Sequence, residues 1–269
     1  MTFSSLAAGA RAVLLCGDAE EKARTAHEVA KAWRKGDLPL TAAGDEPMPV
    51  RPNRPARPEL LSHRDMPRRT FKGPRGRFAL LHSLAHIELN AIDLAFDMAG
   101  RWANEDLPRA FFDDWVQVGD DEAKHFLAIE GRLRAMNGTY GDLPAHNGLW
   151  ETAEETRHDL LARLAVVPMV LEARGLDVTP GMIEKLAAAQ DQASADVLTM
   201  IYRDEQQHVG AGTRWFSYLC HSRDLPMEAT FHQMVRKHFR GLLKHPFNVE
   251  ARDTAGLAPT FYLPLATAN

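Results

Sequence analysis

The chain has 269 residues, of which 45% are hydrophobic and 25% charged, with a formal net charge of −4. Those proportions are ordinary for a soluble globular protein, and the small net charge excludes a global electrostatic pull toward nucleic acid or membrane. Its two cysteines, Cys16 and Cys220, are far apart and in no metal-like spacing, which suits a reducing cytoplasm and excludes a disulfide framework.

No apolar run approaches the roughly 18 residues needed to span a bilayer. The opening "MTFSSLAAGARAVLLCGDAEEKAR" has no basic stretch ahead of a long apolar core, so no signal peptide is expected and the expected location is cytoplasmic.

Residues 4–35 read as two short helices, the second opening on an Asp18 N-cap and closing on Gly36. Residues 37–73 are too rich in proline for regular structure and read as an extended arm wrapping the surface. Arg51, Arg54, Arg57, Arg64, Arg68, Arg69, Lys72, Arg75 and Arg77 make this region basic. Two readings are open: arginines that pair with an acidic body, or a local patch for phosphate or nucleic acid.

From residue 76 the pattern is helical. One helix is expected over 76–102, with Leu81, Leu84, Ala91, Ile92 and Ala95 on the face of Glu88, and a second over 107–137 with Pro108 in its first turn. A third is expected from about 149 to 175; "GLDVTPG" then interrupts it before "MIEKLAAAQ" resumes. The last long helix covers 191–220, followed by an amphipathic segment, "PMEATFHQMVRKHFRGLL", and an irregular tail. The expected fold is all-α: a four-helix bundle over 74–222, an N-terminal helical and extended arm over 1–73, and a C-terminal extension over 223–269.

Within the last long helix, "YRDEQQHV" places Glu205 and His208 on the stripe that carries Leu198, Ile201, Tyr202, Val209 and Gly212. A buried charge without a partner costs several kcal/mol, so an inward-facing Glu and His call for compensation, and a metal ion is one form of it. The second helix repeats the spacing: Asp121-Glu122-x-x-His125 matches Asp204-Glu205-x-x-His208, and Glu122 and His125 share their face with Trp115, Val118 and Ile129. In carboxylate-bridged dimetal bundles, two helices each supply an E-x-x-H and the other two each supply one Glu. Glu88 on the first helix and Glu172 on the third fill those places.

Two antiparallel helices holding ligands at one height should turn halfway between them. The midpoint of Glu88 and Glu122 is residue 105, and that of Glu172 and Glu205 lies near 188–189; both coincide with expected turns. The second estimate requires the third helix to continue through "GLDVTPG". Four carboxylates and two imidazoles favour iron or manganese, and four negative charges balance two divalent cations.

Around this set, Asp121 and Asp204 are candidates to accept the other ring N–H of a ligand histidine, against the alternative of solvent-facing acids. Tyr202, one turn from Glu205, is a candidate radical or proton donor, or a buried hydrogen-bonded tyrosine. His82 and His86 point away from Glu88 and read as packing or surface histidines. Glu154, Glu155 and His158 are rival ligands on the third helix, with His158 about 20 Å from Glu172 along a helix axis. Pro168, one turn before Glu172, removes a helix hydrogen bond and with Gly175 could loosen the third helix beside a substrate or oxygen pocket.

The segments "LAHIELNAIDLAFD", "DDEAKHF", "VLEARGLDVTPGMIEKL", "RDEQQHVGAGTRWF" and "HPFNVEARDTAG" resemble the bacterial ferritin-like proteins grouped as a domain of unknown function, over nearly the whole chain. The ligand-bearing helices alone are also similar to the tRNA hydroxylases that act on methylthio-isopentenyl-adenosine. By this resemblance Glu88, Glu122, His125, Glu172, Glu205 and His208 match the ligand pattern.

The function expected is a dimetal oxidoreductase, di-iron or manganese/iron, using O₂ or peroxide to oxidise or hydroxylate an organic substrate. That substrate is a small molecule or a modified nucleoside in tRNA, and a reductase partner would supply electrons. Ferroxidase-type iron handling, and a binding or scaffold protein with a structural or vestigial site, are the alternatives. The sequence leaves the oligomeric state open.

Overall fold

A computed structural model describes residues 2–61, 65–66, 73–146 and 148–267; the regular structure among them is helical, as the periodicity predicts. The chain divides into two compact units, Met1–Trp150 and Glu151–Asn269.

The first unit begins with α1 (Leu6–Leu15) and α2 (Ala19–Arg34). Ser5 and Asp18 cap them, their side chains accepting from the amides of Ala8 at 2.9 Å and Glu21 at 2.8 Å. Past α2, Gly36 takes φ +78°, the left-handed conformation that ends a helix. The long helices α3 (Gly73–Arg101) and α4 (Arg109–Ala135) pack along one another, with α1 against α3 and α2 against α4. Their connection, 102–108, contains the expected turn at 105.

Every residue of α3 from Glu88 to Gly100 is buried, so this helix needs partners for polar groups on more than one side. Its second polar row recurs at helical spacing: His82, His86, Asn90, Asp93 and Asp97. His82 Nε2 accepts from the Gly141 amide at 2.9 Å. The His86 ring lies 2.8 Å from the His146 carbonyl through Nε2 and 2.8 Å from the Tyr140 hydroxyl through Nδ1. A carbonyl only accepts, so Nε2 carries the proton, and burial pushes the His86 pKa down to about 4. Asp93 meets Lys22 Nζ at 2.5 Å with both side chains fully buried, and Asp97 holds Arg101 at 2.6 Å.

The described part of the proline-rich arm is tied to this unit through its backbone. Asn53 N–H donates to the Leu14 carbonyl at 2.8 Å, Arg101 to that of Pro49 at 2.7 Å, and Trp150 to that of Val50 at 3.2 Å. Leu60 bridges to Ala145. Arg54 reaches inward, donating to Asn90 Oδ1 at 2.6 Å and lying 3.4 Å from Asp93. For Arg54 the ion-pairing reading of the arm therefore holds. Arg64, Arg68, Arg69 and Lys72 lie outside the described residues.

In place of the single third helix expected from about 149 to 175, the chain forms α5 (Gly148–Thr156), α6 (Leu160–Val166) and a π-helical turn (Val167–Glu172), followed by α7 (Ala173–Ala188). The break between α5 and α6 is made by Asp159, whose carboxylate accepts from the Ala162 amide at 3.2 Å and starts a new helix. The expected interruption at "GLDVTPG" does not occur, because α7 runs straight through Pro180. Proline has no N–H to give the carbonyl four residues back; here that carbonyl, of Leu176, accepts from Asn248 Nδ2 at 3.2 Å instead. The irregularity sits about two turns before that segment, at Pro168.

The helix α8 (Gln192–Ser222) packs on α7 and on the π-helical turn, and the short α7–α8 link follows the expected 188–189 turn. The shorter α9 (Met227–His238), α10 (Val249–Thr254) and α11 (Pro259–Tyr262) complete the second unit. Arg252 of α10 forks onto Asp177 of α7 at 2.8 and 2.7 Å, its guanidinium stacked on Phe247 and Tyr262.

Candidate metal centre

In the first unit, α3 delivers Glu88 and α4 delivers Glu122 and His125 to one buried point. Nδ1 of His125 lies 3.3 Å from Glu88 Oε2 and 3.3 Å from Glu122 Oε2. One ligand atom from each of the three lies within 4.8 Å of the others. The three are 5%, 1% and 0% exposed. Burial, and then the neighbouring Glu122 carboxylate, hold the Glu88 pKa well above the ordinary range for a glutamate, against the pull of His125.

This donor set fits a divalent ion. Bonds of about 2.0–2.2 Å to imidazole nitrogen and carboxylate oxygen, at octahedral angles, place neighbouring ligand atoms roughly 3 Å apart. Two acids crowded in a dry interior are unfavourable to each other, and a cation between them removes that conflict. Trp115, Val118 and Ile129, one and two turns from the pair on the same face of α4, are buried, as the shared face predicts.

In the second unit α8 brings Glu205 and His208 together, with Glu205 Oε1 3.7 Å from His208 Nδ1. His208 is 1% exposed, and the side chain of Glu205 is 12% exposed. Glu172 closes the π-helical turn and is half-buried. Such turns are frequent at functional sites because the extra residue redirects one side chain.

Asp121 is engaged along its own helix, accepting from Gln117 at 3.0 Å and Lys124 at 2.8 Å; Asp204 is half-buried. The Tyr202 hydroxyl accepts from Asn248 Nδ2 at 3.0 Å. His82 and His86 are buried structural histidines, in the hydrogen bonds described above. Sequence reasoning missed Glu130, Asn90, Asp93 and Asp97 as buried polar groups. Glu130 is 3% exposed and accepts from the Tyr140 amide at 2.8 Å. For the α3 acids the available signal was the 3.6-residue recurrence of polar positions opposite Glu88.

Among the described residues no helix is long and apolar enough to cross a membrane. The sequence matches a family described as "Protein of unknown function (DUF455)" over residues 15–263. A protein of Haemophilus influenzae called "Uncharacterized protein" is 42% identical over 207 residues, which cover 75% of this chain and 72% of that relative. No solved structure matches. The chain belongs to the DUF455 family.

Proposed function

For this member of the DUF455 family we propose a carboxylate-bridged dimetal centre in a ferritin-like bundle, serving an O₂- or peroxide-dependent oxidation or hydroxylation of an organic substrate. The observation that carries the proposal is the buried convergence of Glu88, Glu122 and His125. The repeated Asp-Glu-x-x-His on α8, with Glu172, is the matching donor set that two ions require. That completion rests on the repeated sequence spacing and the dimetal ligand rule.

In this reading Glu88 and Glu122 bind as carboxylates, His125 binds through Nδ1, and Glu205, His208 and Glu172 supply the remaining ligands. Bound there, a pair of iron ions, or one manganese and one iron, supplies one-electron redox chemistry toward O₂ or peroxide. The buried apolar turns around Glu122 and His125 keep bulk water from the donors. Glu172, at the end of a turn that departs from α-helical bonding, is the ligand best placed to shift when substrate arrives. Tyr202 is a candidate proton donor held by Asn248, and Asp121 and Asp204 are candidates to orient ligand histidines. A small metabolite and a modified nucleoside in tRNA remain the substrate classes, and a reductase the electron donor.

Metal content per chain, measured by plasma mass spectrometry on untagged protein purified without chelators, tests the reading. About two iron or manganese ions per chain are expected. Neither metal bound, even after reconstitution with Fe(II), would overturn it.

A further inference from the structure

The chain contains a third Glu-x-x-His, Glu155-Thr156-Arg157-His158, which the carboxylate centre does not use. We propose that Glu155 and His158, with His238, form a separate metal site in the second unit, one suited to a zinc-class divalent cation.

His238 is the last residue of α9. Its side chain is 2% exposed, yet neither ring nitrogen has a hydrogen-bond partner. An imidazole buried with both nitrogens unsatisfied is unfavourable by the desolvation of each, so native structures give such a ring a partner. The groups facing it, a carboxylate and an imidazole, are of the types that bind metal ions. Glu155 Oε1 lies 3.8 Å from His238 Nδ1, too long for a hydrogen bond. The ring of His158 lies 6.4 Å from that of His238, centroid to centroid, at 66°.

These separations are near those of ligands sharing one ion. Bonds of about 2.0–2.2 Å at tetrahedral angles put an oxygen and a nitrogen roughly 3.4 Å apart, and two coordinated imidazoles roughly 5–6 Å apart between ring centres. Closing the difference takes a side-chain rotation of Glu155 and His158, both exposed, while buried His238 stays in place. The end of α5, which carries Glu155, is held by a buried side chain. Fully buried Arg163 donates to the Ala153 carbonyl at 2.6 Å and to Thr156 Oγ1 at 2.9 Å, holding the last turn of α5.

Two imidazoles and one carboxylate, with a fourth position left to water, are the donor set of a tetrahedral zinc-class site. It differs from the acid-rich centre, which suits iron or manganese. Joining the end of α5 to the end of α9, the ion would fasten two segments far apart in sequence.

The test uses full-length Glu122→Gln protein, in which the carboxylate centre binds more weakly, and the histidine variants identify which absorption belongs to this site. Metal is stripped with a chelator, Co(II) is titrated while its visible absorption is followed, and Zn(II) is then added as a competitor. One equivalent of Co(II) with tetrahedral bands, displaced by Zn(II), is expected. His158→Ala and His238→Gln should each weaken binding about tenfold or more, in line with the loss of a direct ligand. Binding that is absent, or unchanged in either histidine variant, would overturn the site. Should His238→Gln fail to fold, His158→Ala decides alone, because it alters an exposed turn.

Discussion

Gly212 of α8 lies so close to Pro168 of the π-helical turn that a Cβ built on the glycine would stand 2.5 Å from the proline Cβ and 2.6 Å from its Cγ. Neither side can yield cheaply, since one is a helix backbone and the other a closed ring. Gly212→Ala therefore loses more to overpacking, about 1–3 kcal/mol, than it gains in helix propensity, about 1 kcal/mol. Gly131, inside α4 with nothing within 4 Å of its Cβ position, provides the control. Thermal unfolding should show Gly212→Ala lowering Tm and Gly131→Ala raising it.

Glu122 pushes the pKa of Glu88 upward, second only to burial. Glu122→Gln removes that repulsion together with a ligand charge. Iron bound per chain should fall, with affinity reduced about tenfold or more. The chelator-treated variant should melt at or above the temperature of chelator-treated wild type. Undiminished iron in both Glu122→Gln and Glu205→Gln would remove these residues from the centre.

Lys22 and Asp93 form an ion pair closed off from solvent, with Lys22 also donating to the Val13 carbonyl at 3.0 Å and the Leu14 carbonyl at 3.2 Å. Lys22→Met leaves a buried carboxylate facing Arg54 alone. Breaking one side of such a pair costs about 3–5 kcal/mol. Adding Asp93→Asn should restore part of the loss in urea denaturation; a double variant whose loss equals the sum of the separate Lys22→Met and Asp93→Asn losses would show that the pair is not coupled.

Asn248 stands in for the missing amide of Pro180 at the Leu176 carbonyl, and also accepts from the Ala251 amide at 3.2 Å. Asn248→Ala is expected to cost about 1–3 kcal/mol. In a Pro180→Ala background the restored backbone N–H takes over at Leu176, so the same substitution should cost about 1 kcal/mol less. A double-mutant cycle measures the difference, and strict additivity would refute the substitution of side chain for backbone.

Much of the fold was legible because helix periodicity is local. The turns near residues 105 and 188–189, the Asp18 cap and the inward faces of Glu88, Glu122, His125 and His208 follow from spacing of 3.6 residues per turn. The third helix was misread for a physical reason. "GLDVTPG" looks like a breaker by composition, but Asn248, 72 residues after Leu176, supplies the hydrogen bond that Pro180 cannot, and α7 continues. The actual irregularity, at Val167–Glu172, had Pro168 as its visible sign.

The sequence by itself determined that the protein is helical and that acids and imidazoles lie on stripes meant for packing, because both properties depend on neighbours within one or two turns. Only the tertiary structure decided which buried polar group meets which partner. Asp93 finds Lys22, 71 residues away, and His238 comes to face Glu155 and His158. No local period encodes such pairs: they form where separate segments exclude water together, and desolvation makes each unpaired group find a partner there.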